Sequence, residues 1–138
     1  MPYPEEMIAP MRSELVDMGV RELRTIDDVD SFFADHQGTA LILVNSVCGC
    51  AAGSARPGLG RALQGDKRPD RLATVFAGQD LESTAKARSY FGDIPPSSPS
   101  LAMFKDGELI HFVPRHMIEG RDALSVAAGL IEAFDEHC

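Results

Sequence analysis

The sequence predicts an α/β fold in which helices flank a mixed central sheet and one extra helix precedes the first strand. Short apolar runs alternate with helical segments, and strands that are separated by helices pair in parallel. Near the end of the chain, Asp106-Gly107 joins two apolar runs in a pattern typical of a β-hairpin, which adds an antiparallel pair. The 138 residues are enough to bury one core, and we expect a single domain over residues 1–138.

The predicted elements before the cysteines are two helices and two strands. Apolar side chains at helical spacing predict the extra N-terminal helix over residues 5–18. A short strand follows at 20–23, and Thr25 is typical of the N-cap of a second helix that runs to about residue 37. The solid apolar run within residues 39–46 predicts a strand that is buried on both faces.

The elements after the cysteines continue the alternation. We predict a helix from about residue 51 to 64, interrupted near Pro57, and Asp80 is typical of the N-cap of a later helix. Three prolines between residues 94 and 100 exclude regular structure there. The remaining predicted elements are a buried strand at 71–77, a helix at 80–91, hairpin strands at 101–104 and 109–113, and a last helix from about 122 to 136.

The composition disfavours several classes of function. Lys and Arg number 13 against 21 Asp and Glu, for a formal net charge of −8, and no basic cluster is present, so we expect no nucleic-acid partner. The longest aliphatic run, residues 40–44, is far shorter than the roughly 20 residues that span a bilayer, so we expect no membrane association. The chain opens with Met-Pro-Tyr-Pro-Glu-Glu, which is unlike a signal peptide, and we expect a cytoplasmic location.

The residues with the most evident chemistry are Cys48-Gly49-Cys50, which follow a buried strand and open a helix. An odd count of three cysteines, the last at Cys138, disfavours a structural disulfide framework. Free backbone N–H groups and the helix dipole favour the thiolate of a cysteine at a helix start. We therefore predict Cys48 as the attacking thiol and Cys50 as the resolving thiol, with Gly49 allowing the sharp turn between them.

Other interpretations of the cysteine pair stay open. Cys48 and Cys50 could be two small buried residues without chemistry. They could also bind a metal together with His116, although closed zinc sites usually space their cysteines by two to four residues. A non-catalytic interaction domain is a third alternative, since a fold does not by itself imply a function. We expect neither a bound metal nor a bound cofactor.

The order of the elements, with a cysteine pair at the start of a helix after a central strand, resembles thioredoxin. We therefore predict a thioredoxin-like fold. In that fold the loop before the hairpin carries a cis-proline that faces the cysteines, and Ser98-Pro99 occupies this place in the chain. The resemblance implies a cis bond between these two residues, which would aim the Ser98 backbone at an incoming substrate.

Two polar residues are expected beside Pro99. The second hairpin strand ends next to the start of its partner, which brings Arg115 and His116 to this end of the sheet. Arg115 could pair with a carboxylate of a small thiol, and His116 could donate a proton to a leaving thiol. A solvated arginine and a capping histidine are the alternatives. Cys138 ends a helix that runs away from the site, so we expect a free thiol or a dimer contact there.

Several strings of the sequence resemble the bacilliredoxin family, in one order and over nearly the whole chain. They are Val44 to Gly53 with Ala55-Arg56-Pro57, Val75 to Asp80, Pro96 to Ser100, Pro114 to His116 with Ile118 to Gly120, and Ala133 to Cys138. The resemblance implies thiol–disulfide exchange in the cytoplasm, in which bacillithiol is removed from S-bacillithiolated proteins after oxidative stress.

On this resemblance, Cys48 would attack the protein–bacillithiol disulfide and retain the bacillithiol, and Cys50 or a second bacillithiol would then free Cys48. The implied partners are thiol-modified cytosolic proteins, a low-molecular-weight thiol such as bacillithiol as co-substrate, and a flavoprotein disulfide reductase that maintains the thiol pool. Disulfide isomerase activity is the alternative within redox chemistry, and it needs a peptide-binding surface beside Cys48.

Overall fold

The computed structural model describes residues 2–138, and the elements follow the predicted order. The helices are α1 (Glu5–Val16), α2 (Ile26–Ala34), α3 (Arg56–Ala62), α4 (Leu81–Ser89) and α5 (Ala123–His137). The strands are β1 (Arg21–Glu22), β2 (Thr39–Asn45), β3 (Arg71–Phe76), β4 (Ser100–Lys105) and β5 (Glu108–Val113). A π-helical segment (Ala51–Ala55) precedes α3, and a 3₁₀ turn (Arg115–Met117) follows β5.

The strands form one mixed sheet in the order β1-β3-β2-β4-β5. β2 lies at the centre, parallel to β3 and antiparallel to β4, and β5 adds an antiparallel edge strand, so the predicted strand directions are confirmed. Asn45 pairs with Phe76, and Val44 pairs with Ser100. The ends of β2 and β3 and the start of β4 therefore meet at one edge of the sheet, which we call the cysteine edge.

β2 is buried over all seven of its residues because helices cover both faces of the sheet. Successive side chains of a strand point to opposite faces. Leu41 and Leu43 pack with side chains of α3 and α5, whereas Ile42 and Val44 pack with side chains of α2 and α4. Each such burial stabilises the fold by roughly 1.5–3 kcal/mol, so the strand that leads to the cysteines is firmly held.

The helix predicted after the cysteines is present, but the interruption predicted near Pro57 is wrong. Helical backbone continues from Gly49 through Ala62, and its geometry changes from π-helical to α-helical after Ala55. Pro57 lies in the first turn of α3, where proline is tolerated because its missing N–H costs little there. The π-helical segment lies directly before this turn, so the change in helix geometry falls where the proline lacks an N–H.

The first four helices each end two or three residues earlier than predicted, and the causes are clearest for α1 and α2. α1 ends at Val16, and Gly19 then adopts a φ of +90° that lets the Val20 N–H return to the Leu15 carbonyl, which confirms the glycine as a stop. α2 ends at Ala34 because the following residue takes an extended backbone. No helix between residues 2 and 138 combines the length and the apolar character that a membrane span requires.

The two predicted N-caps have different outcomes. The Thr25 hydroxyl accepts from the Asp28 N–H at 3.0 Å, and the Asp28 carboxylate accepts from the Thr25 N–H at 3.2 Å, so this cap is confirmed. Asp80 occupies the N-cap position of α4, but its side chain makes no capping bond. Its two carboxylate oxygens accept from Arg12 of α1, at 2.7 and 2.9 Å, because a bidentate ion pair is stronger than one hydrogen bond to an N–H.

Candidate active site

The two cysteines of the motif lie at the cysteine edge, between the end of β2 and the helix that follows. Helical backbone begins at Gly49, so Cys48 stands directly before the first turn, and its carbonyl accepts from the N–H groups of Ala51 and Ala52. Both cysteine side chains are partly exposed. This placement is the one predicted, with a thiol at the positive end of a helix and open to solvent.

The role predicted for Gly49 in a sharp turn is wrong. The φ of Gly49 is not positive, and its backbone is helical. A Cβ atom at this position would meet no other atom within 4 Å. The helix itself, and not a glycine turn, therefore brings the two cysteines together.

The two sulfur atoms lie 2.7 Å apart but stand in different surroundings. Burial opposes ionisation of Cys48, yet hydrogen bonds from the Cys50 thiol, from Ser46 and from the backbone N–H of Ala51 outweigh it and lower the pKa of Cys48 to about 7. Burial raises the pKa of Cys50, and the neighbouring Cys48 raises it further. This asymmetry favours Cys48 as the nucleophile and Cys50 as the thiol that keeps its proton.

Ser46 is a site residue that the sequence analysis missed. Its hydroxyl donates to the Cys48 sulfur at 3.2 Å and accepts from the Cys48 N–H at 3.3 Å. Ser46 is 7% exposed and directly follows β2. The change from a solid apolar run to the polar pair Asn45-Ser46, just before the cysteines, is the signal in the sequence that could have identified it.

The loop before β4 also lies at the cysteine edge, on the side of β2 that is opposite β3. The peptide bond between Ser98 and Pro99 is cis, as the resemblance to thioredoxin implied. Ser100, the next residue, pairs with Val44 of β2, which places the cis-proline loop beside the residues that lead to Cys48. The use of the Ser98 backbone in binding a substrate stays a prediction.

Arg115 and His116 have different positions relative to the thiols. The Arg115 guanidinium donates to the Ser98 carbonyl and to Glu119, at 3.3 and 3.4 Å, and its charge lies close enough to favour the thiolate of Cys50. The 3₁₀ turn also leaves His116 exposed, and within residues 2–138 its side chain makes no hydrogen bond to either cysteine. Proton donation by His116 stays a prediction.

Cys138 lies at the opposite edge of the sheet from Cys48. The thiol is exposed and stands beside Thr39, the first residue of β2, whereas the cysteine motif follows the last residue of that strand. The predicted separation of Cys138 from the other cysteines is confirmed. Over residues 2–138, no group of three or more His, Cys, Asp or Glu side chains is arranged to hold a metal ion.

Comparison with solved structures supports the fold. Mitochondrial thioredoxin 3 from Saccharomyces cerevisiae is similar with a TM-score of 0.56 at 17% identity, over 86% of this chain and 95% of that chain. The thioredoxin of Fasciola hepatica gives a TM-score of 0.56 at 15% identity, over 86% of this chain and 100% of that chain. The predicted thioredoxin-like fold is confirmed.

Comparison of sequences identifies the family. A family model described as "Disulphide isomerase" matches residues 3–138. A protein of Salinibacter ruber named bacilliredoxin is 53% identical over 140 residues, covering 100% of this chain and 82% of that protein. A bacilliredoxin of Shouchella clausii is 52% identical over 136 residues, covering 99% of this chain and 94% of that protein. These matches place the chain in the bacilliredoxin family.

Proposed function

We propose that this chain is a thiol–disulfide oxidoreductase that removes a low-molecular-weight thiol from modified proteins, with bacillithiol as that thiol. The observation that carries the proposal is the pair of unequal thiols at the cysteine edge. Cys48 is partly exposed with a pKa of about 7, and the Cys50 sulfur lies 2.7 Å away. A nucleophile with a second thiol within reach is what the reduction of a mixed disulfide requires.

The reaction proceeds in two exchanges. The Cys48 thiolate attacks the small-thiol sulfur of the mixed disulfide, the protein leaves as a thiolate that takes a proton from water, and Cys48 keeps the small thiol. Cys50 then loses its proton to water and attacks the Cys48 sulfur, so that the small thiol leaves as a thiolate that is protonated by His116 and a Cys48–Cys50 disulfide forms. Two electrons pass from the dithiol to the substrate, and the small-thiol pool with its flavoprotein reductase returns them.

Arg115 supports a preference for a small thiol that carries a carboxylate. Its guanidinium is 44% exposed and already donates to the Ser98 carbonyl, beside the cis-proline loop. A carboxylate on the small thiol could add to this arrangement, because the planar guanidinium has five N–H donors. His116, exposed on the same turn, would serve as a proton donor for the leaving thiol. The protein partners would be thiol-modified proteins of the cytoplasm.

Disulfide isomerisation is the second candidate function, because the matching family model carries that description. It would use the same Cys48 nucleophile, but the first intermediate would join Cys48 to a sulfur of the protein substrate. The two candidates therefore differ in what Cys48 holds after the first exchange.

A trapping experiment distinguishes the two candidates. The variant Cys50→Ala/Cys138→Ser keeps Cys48 as its one thiol, since the chain has three cysteines. After incubation with an S-bacillithiolated test protein, we expect the intact mass of the variant to increase by one bacillithiol. Replacing Arg115 by Gln in this variant should slow formation of the adduct about fivefold through loss of the carboxylate partner.

The matched control is Cys48→Ala/Cys138→Ser, which keeps Cys50 and should gain no mass. A mixed disulfide between Cys48 and the test protein would support isomerisation instead. If neither product forms while the test protein stays bacillithiolated, both candidates are wrong.

A further inference from the structure

A charged side chain lies almost fully buried behind the cysteine motif and has no role in the exchange described above. Arg56, the first residue of α3, is 3% exposed. Its guanidinium donates to Asn45 Oδ1 at 2.7 Å, to the Ser46 carbonyl at 3.1 Å and to Glu14 at 2.9 Å. A buried charge is costly unless it is paired and hydrogen-bonded, and these three partners offset that cost for Arg56.

The partners of Arg56 connect it to the sulfur of Cys48. Asn45 Oδ1 accepts from Arg56 and also from the Ser46 N–H, at 2.9 Å, so the guanidinium holds both the side chain of Asn45 and the backbone of Ser46. The Ser46 hydroxyl then donates to the Cys48 sulfur and accepts from the Cys48 N–H. Arg56 and Asn45 therefore hold the backbone of Ser46, and the side chain of the same residue is hydrogen-bonded to the nucleophile.

We propose that Arg56 is a positioning residue, which acts through Asn45 and Ser46 to hold the Ser46 hydroxyl against Cys48. The inference deepens the proposed function and rests on it for its biological meaning. The planar guanidinium of arginine reaches Asn45, Ser46 and Glu14 at once, whereas the ammonium of lysine is a compact charge on a flexible stem. The hydrogen bond from Ser46 is among the causes that lower the pKa of Cys48.

Arg12 provides a matched control for a purely structural role. It is 7% exposed, and its guanidinium is held by Glu5, Glu22 and Asp80, none of which forms a hydrogen bond with a cysteine within residues 2–138. Loss of either buried arginine should destabilise the fold. Only loss of Arg56 should change the chemistry of Cys48.

The test follows the ionisation of Cys48 directly. In a Cys50→Ser/Cys138→Ser background, Cys48 is the one thiol, and its rate of alkylation by iodoacetamide is measured from pH 5 to 10. We expect Arg56→Met to move the midpoint of this profile to higher pH and to slow alkylation at pH 7 about fivefold. Arg56→Lys should give a smaller shift in the same direction, and Arg12→Met should give none.

A double-mutant cycle tests the route through Ser46. We expect Ser46→Ala to shift the midpoint at least as far as Arg56→Met, and the double variant to shift it no further than Ser46→Ala alone. If Arg56→Met does not fold, the cycle is made with Arg56→Lys in its place, and the midpoints of Arg56→Lys and of its combination with Ser46→Ala show whether Arg56 acts through Ser46.

The proposal is overturned if the midpoint is unchanged in folded Arg56 variants, if Arg12→Met shifts it equally, or if the Ser46 and Arg56 effects add. Iodoacetamide is not a substrate analogue, so the measurement stands whether or not the chain removes bacillithiol. Failure of the trapping experiment and failure of this one are therefore separate results.

Discussion

Cys48 and Cys50 are the same type of residue and are separated only by Gly49, yet their pKa values are shifted in opposite directions. Cys48 receives hydrogen bonds from Ser46 and from backbone N–H groups, whereas Cys50 faces the sulfur of Cys48. A thiolate at Cys48 makes ionisation of Cys50 less favourable, because two negative charges would then lie close together. The local contacts thus divide the pair into an attacking and a resolving thiol.

This division predicts different pH profiles for the two thiols of the reduced protein. The pKa of Cys48 is lowered to about 7, so its thiolate should form as the pH rises from 6 to 8, while Cys50 stays protonated because its pKa is raised. Alkylation at substoichiometric iodoacetamide, mapped by peptide mass spectrometry, should modify Cys48 first, with a midpoint near pH 7. Equal labelling of both cysteines, or a midpoint in the ordinary range of cysteine, would contradict the assignment.

The residues of the site differ in how far the sequence could predict them. Cys48, Cys50 and Pro99 carry signals in short strings, and the positions of the thiols and the cis-proline loop were predicted correctly. Ser46 was not predicted although the polar pair Asn45-Ser46 ends the apolar run, and Arg56 was not predicted because its role depends on contacts made after folding. Arg56 reaches Asn45 only because the helix after the motif folds back over the end of β2.

At the scale of elements, the mismatches between prediction and structure have local physical causes. A proline inside a helical pattern normally indicates a break, but at Pro57 the π-helical segment before α3 keeps the helix continuous. Asp80 has the residue type and the position of an N-cap, but Arg12, which lies 68 residues earlier, takes its carboxylate. Capping rules describe neighbours in sequence, and they fail where a partner from a distant element binds more strongly.

The pair of Arg12 and Asp80 joins α1 to the start of α4 and should contribute strongly to stability. Their side chains are 8% and 12% exposed, and the guanidinium also lies over the Phe76 ring at 5.3 Å. We expect Arg12→Met to lower the free energy of unfolding by about 3 kcal/mol, because Asp80 is left as a nearly buried, unpaired charge. Urea unfolding at pH 7 measures this loss.

A second variant separates the lost ion pair from lost packing. In Arg12→Met/Asp80→Asn the unpaired charge is absent, so we expect about 1 kcal/mol or more of the stability to return. If the double variant is less stable than Arg12→Met alone, the main contribution of Arg12 is its packing on Phe76 rather than its pairing with Asp80.

At the scale of the whole molecule, the sheet keeps two kinds of thiol apart. The cysteine motif follows the C-terminal end of β2, and Cys138 lies beside its first residue, Thr39. The seven residues of β2 span roughly 20 Å in extended conformation. The alternation of strands and helices in the sequence was sufficient to predict this separation, because it depends on topology and not on individual contacts.

This separation predicts that oxidation within one molecule is confined to Cys48 and Cys50. A disulfide requires Cα atoms within about 7 Å of each other, so Cys138 cannot pair with either cysteine of the same chain. After mild oxidation of dilute protein, iodoacetamide should label one thiol, at Cys138, and the intact mass should show the loss of two hydrogens. The Cys138→Ser variant should oxidise at the wild-type rate and then accept no label. An internal disulfide to Cys138 would contradict the fold, because α5 would have to leave the sheet for the sulfur atoms to meet.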